Sequence, residues 1–302
     1  MKELYVVRTP YIFNGVVSRH ERNLFAVVGV PLDSTSSFRG GCRFAPYYIR
    51  LASQTLELLS LRTLVNVEEV PIEDIGDVAI PHGDVVKSLS IIENVISEIV
   101  GGGLRPVVIG GEHTLSLGVV KGVIKALGSD ICFLCFDAHS DFRYEYLGVR
   151  YSHACVTRRI YEVLGSQRIY LVGVRAISND EYKDMKNSNI RYITSHQIRS
   201  LGFREVGRSI TRSLDPCRRV YISIDLDVVD PAYAPGVTTP EPEGISPTEL
   251  LDVLQALIDE RVAGFDLVEV TPSYDISMIT SILAAKVINE VIGMIYRSIK
   301  PT

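Results

Sequence analysis

The chain has 302 residues, 46% of them hydrophobic and 22% charged, which supplies a sizeable core and excludes wholesale disorder. Its 31 basic and 36 acidic residues leave a formal charge of −5, without the basic excess that grips a phosphate backbone, so a dedicated nucleic-acid protein is not expected. No uninterrupted apolar run reaches the ~18 residues of a membrane span. The opening segment Met1–Arg8 has no signal-peptide core, so a cytoplasmic chain with no membrane partner is expected.

Taken in chain order, Leu24–Val30 is the first predicted strand, and Val85–Val100 is a predicted helix stopped by Gly101-Gly102-Gly103. Strands follow at Pro106–Ile109, Ile131–Phe136, Arg168–Val174 and Arg219–Ile224. Ser246-Pro247-Thr248-Glu249 is a capping box with proline in the first turn, opening a helix expected to run to about Arg261. A strand at Gly264–Val270 and a long helix at Met278–Ser298 complete the pattern. The strands are continuously apolar rather than alternating, as parallel strands covered on both faces should be. Alternating β and α elements predict an α/β fold with helices on both sides of a parallel sheet. No linker, repeat or low-complexity stretch divides it, so residues 1–302 are expected to form a single domain.

Five cysteines in a chain of this length do not make a disulfide framework. Cys132 and Cys135 form a C-x-x-C, but inside an apolar strand run they point to opposite faces and cannot chelate one ion, so two core cysteines are expected. No Walker or dinucleotide glycine motif occurs, which argues against a nucleotide cofactor. The stretch from Phe38 to Arg43 is expected to be a tight turn rather than an anion site. His153 and Cys155 are badly spaced for a Cys–His nucleophile.

Ligands of an open parallel sheet bind beyond the carboxyl ends of its strands. Three clusters fall there: Gly110-Gly111-Glu112-His113, Asp137-Ala138-His139-Ser140-Asp141, and Asp225-Leu226-Asp227, with Glu269 at the end of a fourth strand. In extended chain, Asp137, His139 and Asp141 face one way, as do Asp225 and Asp227. Four aspartates at short range raise one another's pKa values, and metal ions are the natural compensation. Six ligands with His113 are too many for one tetrahedral zinc, suit two ions with bridging aspartates, and favour a harder ion such as Mn²⁺. His20, His82 and His196 lack acidic company and are expected to be structural. Asp230, before Pro231, is expected to organise a loop.

These motifs resemble those of the ureohydrolases, the arginase/agmatinase family, over nearly the whole chain. The GGEH segment, the D-A-H-S-D segment and Ser223–Pro231 (SIDLDVVDP) are similar to the family's metal motifs, and Pro31–Ser34 through Arg43–Pro46 to its N-terminal segment. The resemblance implies a three-layer α/β/α sandwich around a mostly parallel sheet of about eight strands, commonly assembled as homotrimers or homohexamers. It implies two Mn²⁺ ions, one held by His113, Asp137, Asp141 and Asp225, the other by Asp137, His139, Asp225 and Asp227. By analogy His153 is the catalytic proton shuttle and Glu269 binds the guanidinium.

Within the family, Tyr151–Arg159 (YSHACVTRR) is similar to the agmatinase segment, and the S-G-N-L-H-G loop of arginases is absent. The expected activity is therefore hydrolysis of a small cationic guanidino substrate, agmatine, to putrescine and urea. Arginase or guanidinobutyrase activity is the alternative. A zinc deacetylase-like hydrolase, or a non-catalytic metal-binding homologue, is disfavoured by the six ligands with His153 and Glu269. Val237, Glu243 and Thr271 depart from the family pattern, and the first two are expected at the entrance. Glu145 or Glu243 would attract an ammonium at the far end of the pocket; Arg143 or Arg150 would attract a carboxylate.

Overall fold

The computed structural model describes residues 5–18, 20–215 and 217–300, so the expectation for Met1–Leu4 lies outside it. Among the described residues there are nine strands: β1 (Val6–Val7), β2 (Phe25–Val30), β3 (Ile72–Val78), β4 (Arg105–Gly110), β5 (Ile131–Phe136), β6 (Ile169–Val174), β7 (Arg191–Thr194), β8 (Arg219–Asp225) and β9 (Val262–Val268). They form one sheet in the order β1-β3-β2-β4-β9-β8-β5-β6-β7. All neighbouring pairs are parallel except the edge pair β1–β3. The sheet thus has one strand more than the expected eight or so, and β1 is only two residues long.

The helices are α1 (Ala45–Ser53), α2 (Val85–Gly101), α3 (Leu115–Leu127), α4 (Val156–Leu164), α5 (Asn179–Asn187), α6 (Ser195–Leu201), α7 (Phe203–Leu214), α8 (Pro247–Leu257) and α9 (Ile279–Ile299). The continuous apolar runs of the strands resolve into two alternating sets. Phe25 and Val27 of β2, with Cys132, Leu134 and Phe136 of β5, pack on one face against α1, α7, α8 and α9. Ala26, Val28 and Val30, with Ile131, Phe133 and Cys135, pack on the other against α2, α3 and α4. This two-period alternation inside a fully buried run produces the three-layer sandwich.

Ser246 caps α8 through the expected box with Glu249, but α8 stops at Leu257 rather than Arg261. Ile258 is already extended, and Asp259 accepts the Arg261 N–H and guanidinium in the turn that launches β9. Strand β3 escaped prediction because it carries buried charge. Fully buried Arg50 of α1 donates to Asp74 (Nε–Oδ2, 2.7 Å) and Asp77 (Nη1–Oδ1, 2.6 Å) on that strand. By length and composition Ile276–Ile299 would cross a membrane, but 72% of its apolar window is buried inside the fold, which is the condition of a core helix.

The cysteine expectation needs one correction. Cys132 and Cys135 do face opposite sides of the sheet, but Cys132 is joined by a disulfide to Cys217, just before β8. Sequence spacing of 85 residues gave no sign of the pair, which parallel pairing of β5 with β8 brings together.

Candidate metal centre and pocket

Strands β4, β9, β8 and β5 are consecutive in the sheet, and their carboxyl ends deliver the six ligand candidates and Glu269 to one edge. After β4 the chain must pass close to Leu32. A Cβ on Gly111 would lie 1.9 Å from the Leu32 carbonyl oxygen, so only glycine fits before Glu112 and His113. His113 is fully buried, and its Nδ1 faces three carboxylate oxygens, Asp137 Oδ2, Asp141 Oδ2 and Asp225 Oδ2, each at 3.2 Å. One N–H cannot serve three acceptors, and this Nδ1 has no partner in hydrogen-bonding geometry. His139 Nδ1 lies 2.9 Å from Asp227 Oδ2 and 3.7 Å from Asp137 Oδ1.

Three of the four aspartates are aimed by backbone N–H groups. Asp137 Oδ1 accepts the His139 N–H, Asp225 Oδ1 accepts the Asp227 N–H, and Asp227 Oδ1 accepts the Ala138 N–H. The convergence is not the simple strand alternation expected from sequence. Asp141 sits at φ 48°, in the left-handed region, and Asp227 lies in a short 3-10 turn after β8. Asp230 organises its loop as expected, accepting the Ala232 and Gly244 N–H groups.

The electrostatics of the cluster describe where positive charge is wanted. Burial, then Asp137, pushes Asp141 up to about 7, and burial, then Asp227, raises Asp225 well above the carboxylate range. Burial would lower both imidazoles. For His139 the field of Asp227 and Asp137 outweighs it and pushes the ring up to about 12, and His113 is also raised well above its ordinary value. An all-oxygen and imidazole donor set around an unpartnered buried Nδ1 fits a pair of divalent cations. The far nitrogen of His113 meets Ser223 Oγ at 3.0 Å, and Ser223 donates to buried Asp266, which also accepts the Tyr221 hydroxyl. Such an outer partner fixes the ring for ligation through Nδ1. Cys135 Sγ lies 3.7 Å from the same His113 nitrogen, a neighbour the sequence did not suggest. Burial pushes its thiol far above the ordinary range, so it stays protonated and is a poor ligand beside the carboxylates.

Glu269 lies one residue beyond β9 at φ 68°, and its buried carboxylate accepts the His113 N–H and the Thr238 hydroxyl. Burial pushes it up to about 8. The Gly236–Thr238 segment is zipped to it: Thr238 N–H donates to Glu269 O, and Thr271 N–H to Gly236 O. Val237 is therefore fully buried against Val270 and does not shape the entrance, contrary to expectation. Exposed Glu243 and Glu145 also stay out of the pocket.

The cleft over the cluster has a volume of about 380 Å³ and is lined by His139, Asp141, His153, Asp225 and Glu269, with Arg143, Tyr146 and Glu181 also in its wall. Burial, with the fields of His139 and His113, pushes the His153 ring down to about 4. Arg143 Nη2 is 3.1 Å from Glu181 Oε2, and the guanidinium stacks 5.2 Å from the Tyr146 ring. Arg150 instead faces Glu162 and the Tyr144 ring, away from the cleft.

Comparison with known proteins gives concordant results. The family model described as the arginase family matches residues 23–293. An agmatinase of Halalkalibacterium halodurans is 36% identical over 91% of this chain and 93% of its own. A mitochondrial arginase of Medicago truncatula is 38% identical over 88% of this chain and 80% of its own. The crystal structure of the agmatine ureohydrolase of Thermoplasma volcanium superposes with a TM-score of 0.87 at 36% identity, covering 96% of both chains.

Proposed function

Because the chain belongs to the arginase family and is a ureohydrolase, we propose that it hydrolyses agmatine to putrescine and urea with two Mn²⁺ ions. The observation that carries the metal assignment is the buried His113 Nδ1, without a hydrogen-bond partner and facing three carboxylates. His113, Asp137, Asp141 and Asp225 would hold one ion. Asp137, His139, Asp225 and Asp227 would hold the other. Bound there, the ions supply a nucleophile at neutral pH by lowering the pKa of water.

The remaining chemistry belongs to side chains. Two divalent cations would balance the four aspartates, and their field would favour loss of the proton that burial holds on Glu269, whose ionised carboxylate would leave the pocket negative and suited to a guanidinium. Held on both carboxylate oxygens, Glu269 keeps a fixed direction toward the cleft. His153, neutral at physiological pH, takes up a proton in the cleft and returns it to the departing amine. Agmatine is supported by the agmatinase relatives and by the missing arginase loop. A second substrate class, a guanidino acid such as arginine or 4-guanidinobutyrate, is favoured by one observation, Arg143 in the cleft wall. Urea release from agmatine, arginine and 4-guanidinobutyrate at equal concentration tests the choice. A higher kcat/KM for either carboxylate-bearing compound overturns agmatine and leaves the hydrolase chemistry intact. We further propose a single domain over residues 1–302, cytoplasmic and assembled as a homotrimer or homohexamer; sedimentation of the purified chain checks the assembly.

A further inference from the structure

His153 does not stand alone in the wall of the cleft. Thr35, in the loop after β2, places its Oγ1 3.2 Å from His153 Nδ1 and also accepts the His153 backbone N–H at 3.1 Å. The same hydroxyl lies 2.9 Å from Oε1 of Glu112, which is fully buried next to His113. The other oxygen of Glu112 accepts the Ser34 and Thr35 N–H groups, each at 2.6 Å. Thr114 contributes a further hydroxyl, 3.3 Å from Thr35 Oγ1. Every hydrogen-bond partner of Glu112 can donate, and these three donated bonds favour the ionised, acceptor-only carboxylate against the burial that raises its pKa.

A hydroxyl has one hydrogen. Drawn to Glu112, the Thr35 hydrogen is not available to His153, so Thr35 Oγ1 turns lone pairs toward the imidazole. Nδ1 must then carry the ring hydrogen. On the other side of the ring, Nε2 lies 3.2 Å from Ser37 Oγ at the cleft wall, where a hydroxyl can donate to a bare nitrogen. Ser152 Oγ is more distant from Nδ1, at 3.4 Å.

We propose that Thr35 and Glu112 are positioning residues that lock His153 in the Nδ1–H tautomer, with the Nε2 lone pair turned to the cleft. The proposal rests on His153 being the proton carrier argued above. In that tautomer Nε2 accepts a proton, giving an imidazolium with N–H on both nitrogens. The same Nε2–H bond then breaks as the proton passes to the lone pair of the leaving amine. The opposite tautomer would present an N–H to the cleft and accept nothing there.

Two measurements on the full-length chain test this. With histidine ¹⁵N-labelled and paramagnetic ions chelated, the His153 nitrogens, assigned by their loss in His153→Ala, report the tautomer directly. The wild-type chain should show a protonated Nδ1 and a bare Nε2; a protonated Nε2 overturns the proposal without any need of a variant. Thr35→Ser should keep the wild-type pattern, and Thr35→Val should lose it. In urea-release assays Thr35→Val should lower kcat by roughly 10- to 100-fold with KM within about twofold, part of the roughly 100- to 10,000-fold that a general acid–base group contributes, while Thr35→Ser restores it. A Thr35→Val chain that keeps the Nδ1–H signal, or turns over like Thr35→Ser, overturns the role of Thr35. Wild-type turnover by His153→Ala would instead strike the proton-carrier assignment, a separate failure.

Discussion

Replacing Cys217 with serine should lower the thermal stability of this enzyme by a predictable amount. The Cys132–Cys217 bond closes a loop of 85 residues. In the chain-entropy treatment a loop of that length removes about 4.5 kcal/mol of freedom from the unfolded chain at 25 °C. An unfolding entropy of about 2.1 cal/mol/K per residue, over 302 residues, converts this into a fall of about 7 °C in Tm. The substitution is the right perturbation because Cys132 is fully buried and shielded from added reductant. Differential scanning calorimetry of the two chains reads the shift. Thiol titration of the denatured, unreduced wild type should find the three free cysteines Cys42, Cys135 and Cys155. Five free thiols, or midpoints within about 2 °C of each other, would refute the reasoning.

Asp137→Asn and Asp225→Asn should each abolish urea release, because both residues are placed against two ligand groups, whereas Asp141→Asn should weaken one ion; metal analysis of the purified variants checks the stoichiometry. Exhaustive chelation should silence the enzyme and added Mn²⁺ should restore it in the same assay. Glu269→Gln keeps shape but removes the charge facing the guanidinium, so KM should rise and kcat fall, by roughly 100-fold or more in kcat/KM, a few kcal/mol for a lost buried charge contact. His153 has a folded pKa of about 4, below the free value of 6.5. Its contribution to stability is therefore present above pH 6.5 and is lost as pH falls toward 4. Between those limits His153→Gln should unfold less steeply with acid than the wild type, followed by circular dichroism.

What was legible in the sequence followed physical visibility. Strands β2 and β5 are covered on both faces, so their apolar runs stand out. Strand β3 hides behind Asp74 and Asp77, whose charges make sense only when Arg50, more than twenty residues earlier, is folded against them. Edge strand β7, with four residues, is too short to show a period. At the site, the six ligand candidates and Glu269 were read from motifs following strands and His153 from the family resemblance; the structure puts His139, Asp141, Asp225, His153 and Glu269 in the wall of one cleft, with His113, Asp137 and Asp227 against them. What could not be read was how they are held. Asp141 and Glu269 take left-handed backbone conformations that no side-chain pattern announces. The contact of Thr35 with His153 joins residues 118 positions apart, and Thr35 is an unremarkable threonine in a loop. The far end of the pocket was the least legible: of the four charged candidates named there, only Arg143 lines it, because Glu181 and Tyr146 from other segments anchor it.

The place of β9 in the sheet sets the order in which the molecule can be completed. Among the described strands it is the last in chain order, yet it lies between β4 and β8, at the centre of the nine. A nascent chain that ends before Val262 holds two half-sheets, β1-β3-β2-β4 and β8-β5-β6-β7, with no strand joining them. Each then exposes one long apolar edge, a template for pairing with other chains. The strand that closes this gap also carries Asp266 and leads into Glu269, so chain closure and assembly of the catalytic cleft are one event. Truncation immediately before Val262, which removes β9 and everything after it, should therefore yield aggregation-prone halves rather than a weakened enzyme.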